Sequence, residues 1–236
     1  MPTYSFHMRY GFRPLAGAFL LLSALLSACS ADQIEHIKDG KKIAIKLENM
    51  AVKRIMPADL LRATRWAGDS LTSHADRELR RVLDEKLASG GVAAALPYCR
   101  PETFASVDSL AKVLEAAPRR LSQQARNPQN QANLPPSQLR PDTTRLVSRL
   151  NMEQFSYQRP LTLNDQQCLR CHGTVGRDIS AADYALIKQR YPADKSTGFR
   201  LGEPMGVWRV QLQRTGVAEH YTMRTRKIMK PRPKLF

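Results

Sequence analysis

Four cysteines and five histidines are all that the 236 residues offer for thiol or imidazole chemistry. His7, His36, His74 and His220 fall at no spacing that complements a cysteine pair. A zinc centre needs about four ligands, so these histidines argue against one. Acidic residues are scarce, with 21 Asp+Glu against 37 Lys+Arg and a formal net charge of +16. The apolar run Leu15–Leu26 falls short of the roughly 20 residues that a helix needs to cross a bilayer. No internal repeat is visible. Strand and helix patterns do not alternate regularly, which argues against a βαβ protein and for α+β. No kinase, methyl-accepting or cyclase segment is present, so any signal must be received by a partner.

What is present begins with a targeting signature. Arg9 and Arg13 precede the apolar run, and Ser27-Ala28-Cys29 follows it, which is the order of a secretory signal. Leu26-Ser27-Ala28-Cys29 also resembles a bacterial lipobox, which implies cleavage before Cys29 and lipid on its thiol. Residues 1–28 are then a lipoprotein signal peptide, and the mature chain is periplasmic and anchored to the cell envelope. Ser30, where an inner-membrane lipoprotein has aspartate, leans toward the outer membrane. Export argues against nucleic acid as the partner of so basic a chain. An acidic redox or signalling protein, or anionic lipid, is the complementary surface.

Residues 29–56 read as a polar tether with a short apolar alternation at Ile43–Leu47. From Pro57 onward Leu60, Leu61, Thr64, Ala67 and Leu71 recur at helical spacing, and Leu79, Val82, Leu83 and Leu87 continue it. Gly68 weakens the middle of this long helix and Gly90-Gly91 stops it. A second helix is expected over Ser106–Ala116, ended by Pro118, with an extended strand over Arg119–Ala125. Asp142–Leu150 reads as a helix. Phe155, Tyr157 and Leu161 mark a strand, and Ser180 opens a helix to Arg190 in a capping-box pattern with Asp183. Val207–Leu212 alternates as a strand. The domain is expected to span 57–214, and residues 215–236 to form a mobile basic tail.

The most specific segment is Cys168-Leu169-Arg170-Cys171-His172, a C-x-x-C-H sequence of the kind that attaches one c-type haem covalently. Two thiols three positions apart each add to a vinyl group of one porphyrin, and the adjoining histidine reaches the iron. A thioredoxin-like disulfide wants a helix starting at the first cysteine, which Gly173 disfavours. Once Cys29 takes lipid and Cys168 and Cys171 take haem, Cys99 is left over. For the second axial position Met205, Met152 and Cys99 are all candidates, and spacing does not choose among them. Thioether raises the potential and thiolate lowers it.

Several motifs in order resemble the PAS-like single-haem c-type domain of cyanobacterial cytochromes and bacterial sensor proteins. They are Ala95-Leu96-Pro97-Tyr98-Cys99; Arg126-Asn127-Pro128 with Asn130; Cys168-Leu169-Arg170-Cys171-His172-Gly173; Tyr191-Pro192-Ala193-Asp194-Lys195 with Thr197-Gly198-Phe199; and Gly202-Glu203 with Gly206. The likeness runs from about Ala58 to Leu212. The chain departs from it after Asn130, where it has Gln131–Pro136 in place of a tryptophan-bearing helix, and at Ser196, where the family prefers alanine. The resemblance implies a PAS-like antiparallel sheet with flanking helices around the haem. It also implies axial ligation by His172 and Cys99. Arg126 then reads either as the partner of a haem propionate or as a turn-stabilising arginine. Three functions follow in order: a redox or gas-responsive haem module, a low-potential electron-transfer cytochrome docking to an acidic partner, and last a peroxidase-like enzyme, for which the sequence shows no distal histidine.

Overall fold

A computed structural model of the chain describes residues 39–40, 42–44, 54–139 and 145–226. The expected signal peptide, Cys29 and the last ten residues lie outside the described residues. So does most of the Ile43–Leu47 alternation. Lys53–Arg226 make up one unit, and the elements below belong to it.

Helix α1 runs from Pro57 to Ala95. Proline at its first position needs no hydrogen-bond partner, and the Asp59 carboxylate accepts the Met56 N–H at 3.0 Å. Its buried stripe is rich in small residues, with Ala63, Thr64, Ala67, Gly68, Thr72 and Ala75 between Leu60, Leu71 and Leu83. A helix with so little bulk on one face lies close to what it covers. At Gly68 a Cβ atom would stand 2.1 Å from Tyr157 Cγ, so glycine is required there rather than tolerated. The expected break at Gly90-Gly91 is a kink: Gly91 has φ 64°, after which one more helical turn carries the chain to Leu96.

Helix α2, Ala105–Val113, is followed by the edge strand β1, Ala116–Leu121. β1 starts three residues earlier than the sequence suggested. Glu115, at φ 47°, makes the turn, and Pro118 is accommodated because an edge strand can spare an N–H. Strands β2 (Leu146–Arg149) and β3 (Gln154–Thr162) pair antiparallel. A correction is needed here, because Leu146–Arg149 was expected to be helical. Its backbone groups are taken up by β3, with Leu146 opposite Gln158 and Arg149 opposite Phe155, and that pairing outweighs local propensity.

A single helical turn, α3 (Leu169–His172), and helix α4 (Ala181–Arg190) follow. Ser180 caps α4 by accepting the Asp183 N–H at 3.0 Å, as its sequence predicts. Strand β4 (Pro204–Gln213) completes an antiparallel sheet in the order β1-β4-β3-β2. Helix α5, Arg214–Arg224, occupies the start of the expected mobile tail. It is ordered by burial: Val217 joins the core, and Gly216 lies so close to Leu114 that a Cβ would meet its carbonyl oxygen at 2.3 Å.

The α+β architecture, with one antiparallel sheet, a long N-terminal helix and flanking helices, is the fold class expected. The core lies between α1 and the sheet, where Phe155, Tyr157, Trp208, Val210 and Leu212 face Ala63, Ala67 and Leu71. Polar side chains bolt the layers together. Tyr157 donates to Asp69 at 2.6 Å, Trp208 Nε1 donates to Asp76 at 3.0 Å, and Arg159 Nε donates to Thr72 at 2.8 Å. The C-terminal half of α1 overhangs the sheet, and the site lies beneath that overhang.

Candidate cofactor site

The C-x-x-C-H segment enters from β3. Asp165 accepts the Gln167 N–H and opens a 3₁₀ turn, Gln166–Cys168, which passes into α3. Gly173 ends the turn by donating to the Leu169 carbonyl at 2.9 Å. One helical turn places Cys168 and Cys171 on the same face, and His172 beside them. Both cysteines are unbridged. Burial pushes the Cys168 thiol up to about 12 and the Cys171 thiol up to about 11, so both are protonated near neutral pH.

His172 is 9% exposed. Its Nδ1 lies 2.8 Å from the Ser196 carbonyl oxygen and 3.0 Å from the Ser196 hydroxyl. A carbonyl can only accept, so Nδ1 carries the proton and Nε2 presents its lone pair. Burial, reinforced by the Arg126 charge, pulls the imidazole down to about 3 and keeps it neutral. Nε2 points at Cys99 Sγ across 4.0 Å. Cys99 arrives from the far side of the chain, on the loop between the 3₁₀ turns Leu96–Tyr98 and Pro101–Thr103. Its carbonyl accepts from the Arg120 guanidinium, which also lies over the Trp208 ring at 5.7 Å. Two adjoining hollows of about 670 and 660 Å³ meet at this pair and share Leu96, Cys99, Arg120, Arg126, His172 and Met205. One is apolar, walled by Leu79, Leu83 and Leu87 of α1 with Cys168 and Cys171. The other is less strictly apolar, with Arg100, Asn127 and Asn130 on its wall beside Leu121 and Leu161.

Arg126 is 10% exposed in its side chain and pairs at 3.1 Å with Asp194, whose side chain is wholly buried. Its Nη2 donates to the carbonyls of Cys171 and Ser196. The first carbonyl belongs to the peptide that leads into His172, and the second is the acceptor of the imidazole proton. Arg126 therefore braces the histidine from behind. Its Nη1 is buried without a hydrogen-bond partner, and the side chain lines both hollows.

These residues fit a haem of the c type. His172 Nε2 and Cys99 Sγ, a neutral imidazole nitrogen and a sulfur that face each other across 4.0 Å, are donors of the kind that would hold a haem iron. The two thiols that would form thioethers share the apolar wall. Among the described residues no group of three or more His, Cys, Asp or Glu side chains is arranged to hold a metal ion on its own. Met152 is 64% exposed in the turn between β2 and β3. Met205 lines both hollows, but the sulfur that faces Nε2 is that of Cys99. Sequence reasoning did not assign roles to Asp194, Ser196, Arg120 and the α1 leucines. Asp194 and Ser196 stood inside a quoted motif, and only the fold shows what they touch.

An antiparallel α+β domain with a long bracing helix, a buried histidine facing a half-buried cysteine and two thiols beside them defines a class of cofactor-holding module. The chain belongs to the Tll0287-like family, which matches residues 70–212. The crystal structure of the cyanobacterial haem protein Tll0287 is similar to it at 19% identity and a TM-score of 0.40, over 60% of this chain and 92% of that one. A search of curated proteins finds no match.

Proposed function

We propose that the chain is an exported, lipid-anchored protein that carries one covalent haem c and responds to redox state or to a diatomic gas. The observation that carries the reading is the 4.0 Å approach of His172 Nε2 and Cys99 Sγ at the junction of the two hollows, with Cys168 and Cys171 on the wall. In this reading Cys168 and Cys171 hold the porphyrin, and His172 and Cys99 are the axial ligands. Arg126 Nη1 takes a carboxylate of the porphyrin edge. Haem iron, when bound, supplies a centre that changes oxidation state and takes up small ligands.

The two ligands are supported unequally. His172 is fixed on Nδ1 by Ser196, and its main-chain oxygen accepts the Phe199 N–H at 2.9 Å. Cys99 lies on a short proline-flanked loop reached through the Gly91 kink, with Arg120 on its carbonyl. Cys99 is thus the donor that leaves and returns, and its loop carries the change to a partner. Cys29 would hold the module at the envelope, and the basic surface suits an acidic partner.

The test is the absorption spectrum of protein matured with a c-type attachment system, oxidised and reduced, with and without carbon monoxide and nitric oxide. Ligand uptake on reduction is expected. A six-coordinate spectrum indifferent to both gases would instead favour the electron-transfer reading. Cys99→Ala is expected to change the oxidised spectrum, and an unchanged spectrum would remove the thiolate assignment. Protein that emerges without haem would end the reading altogether.

A further inference from the structure

We infer that the end of the molecule where α1 begins and α5 ends is a face that rests on an anionic phospholipid surface. Tyr221 and Arg224 of α5 lie against Arg62 and Trp66 of α1. The chain therefore enters the described unit beside Arg54 and leaves it after Arg226 at one place. Trp66 and Tyr221 stack at 6.3 Å with 8° between their planes. The Arg224 and Arg62 guanidinium groups lie 4.6 and 5.4 Å from the Trp66 ring centre. Both rings are half-buried, with guanidinium groups over their faces. Tryptophan and tyrosine so placed have the chemistry of a membrane–water boundary, where the ring sits at headgroup depth.

At the same ends of the two helices Met56, Leu61 and Met223 are exposed at 49%, 39% and 52%. Arg54 and Arg65 add charge on the α1 side. The nearby carboxylates are already engaged: Asp59 by Arg62 and the Met56 N–H, and Asp69 by Arg145 and Tyr157, with Arg65 at 3.8 Å. Glu219 is the exposed acid on α5. Beyond Arg226 the sequence continues with Lys227, Lys230, Arg232 and Lys234 and no acidic residue.

A lipid on Cys29 would hold the molecule at a bilayer, and this end carries the charge and the rings to face it. The placement rests on the exported, lipid-anchored reading above. Basic residues next to an anionic leaflet are drawn to it within a Debye length, and the exposed apolar side chains and aromatic rings then enter the headgroup layer.

The test uses the haem-loaded chain from residue 29 with Cys29→Ser, so that no acyl group contributes. It is mixed with vesicles of phosphatidylcholine alone or with one-third phosphatidylglycerol. Sedimentation with the anionic vesicles is expected, together with a blue shift of tryptophan emission. That shift reports on Trp66, because Trp208 is fully buried. Arg54→Glu with Arg65→Glu is expected to lower the bound fraction about tenfold or more, while Arg77→Glu with Arg81→Glu, farther along α1, leaves it unchanged. The haem spectrum of each variant shows that the fold is kept and reports separately on the cofactor reading.

No binding to anionic vesicles would overturn the inference. So would equal losses from the two pairs of reversals, or binding that vanishes only when residues 227–236 are removed. Retention by an immobilised acidic protein without vesicle binding would overturn it in favour of a protein partner.

Discussion

Arg126→Leu is expected to be among the most damaging single substitutions outside the ligands themselves. Asp194 is wholly buried in its side chain and Arg126 nearly so, so the change strands a carboxylate in a low-dielectric site. Removing one member of a buried pair costs about 3–5 kcal/mol. The hydrogen bonds to the Cys171 and Ser196 carbonyls go with it, but their loss overlaps with the first and is not added. For a chain of this size each kcal/mol lowers the melting temperature by about 2–4 °C, which gives a fall of about 6–20 °C. Asp194→Leu alone strands the guanidinium and is expected to cost a similar amount. The double variant leaves neither charge unpaired, so it should be more stable than the sum of the singles by about 2–3 kcal/mol. Thermal unfolding followed by far-UV circular dichroism at pH 7 measures all four proteins. A midpoint for Arg126→Leu within about 2 °C of wild type would show that the pair does not hold the loop. Purely additive losses in the double variant would show that the two side chains act independently.

Gly68→Ala drives a methyl group into a ring that Asp69 holds in place, and a loss of about 3 kcal/mol is expected in denaturant unfolding; a neutral result would mean that α1 can lift from β3. Ser196→Ala removes the hydroxyl contact to His172 but keeps the main-chain one, so it should cost less than about 1 kcal/mol and leave the haem spectrum unchanged. The haem-free chain should lose stability as pH rises above about 9, because the thiols of the unfolded chain ionise there while burial holds the folded ones near 12 and 11. Covalent attachment of haem, as proposed, would turn both thiols into thioethers, which do not ionise, so this alkaline loss should then be absent. The same haem-free chain should also weaken as pH falls below about 6.5, where the unfolded histidine takes a proton that buried His172 refuses until about 3. A flat acid limb in its pH–stability profile would contradict that burial.

Where the apolar period was long and its ends were marked, the sequence was readable. Pro57 opens α1, Ser180 with Asp183 opens α4, and the alternation through Val207–Leu212 became β4. Residues 146–149 were misread because four residues carry too little periodicity, and the partner that decides their conformation lies across the turn in β3. Residues 215–224 looked like tail because they run straight into the basic, proline-bearing segment Lys227–Lys234. The two positions that order them, Gly216 and Val217, are unremarkable until Leu114 is placed beside them. In the site, Cys168, Cys171 and His172 are contiguous and announce themselves. Cys99 came through resemblance to a family, since 73 residues separate it from the histidine it faces. Arg126 was read as the partner of a haem propionate or as a turn-stabilising residue, yet its bonds to Asp194 and to the carbonyls of Cys171 and Ser196 span 45 to 70 positions. Gly68 was taken for a weakness in a helix and is instead where the helix meets an aromatic ring.

The length of α1 sets an electrical limit on the molecule. At 1.5 Å per residue, the straight stretch between Arg62 and Leu87 is about 38 Å long. The Debye length in physiological salt is about 8 Å, so charges at the start of α1 act on the cofactor hollow through several screening lengths. Whatever surface or partner gathers around Arg62 and Arg224 is therefore screened from the groups that line the site. The charges that act on His172 and Cys99 are the ones buried beside them: Arg120 with Glu102, and Arg126 with Asp194. Changes of ionic strength should alter what the far end of α1 attracts far more than the electrostatics of the hollow.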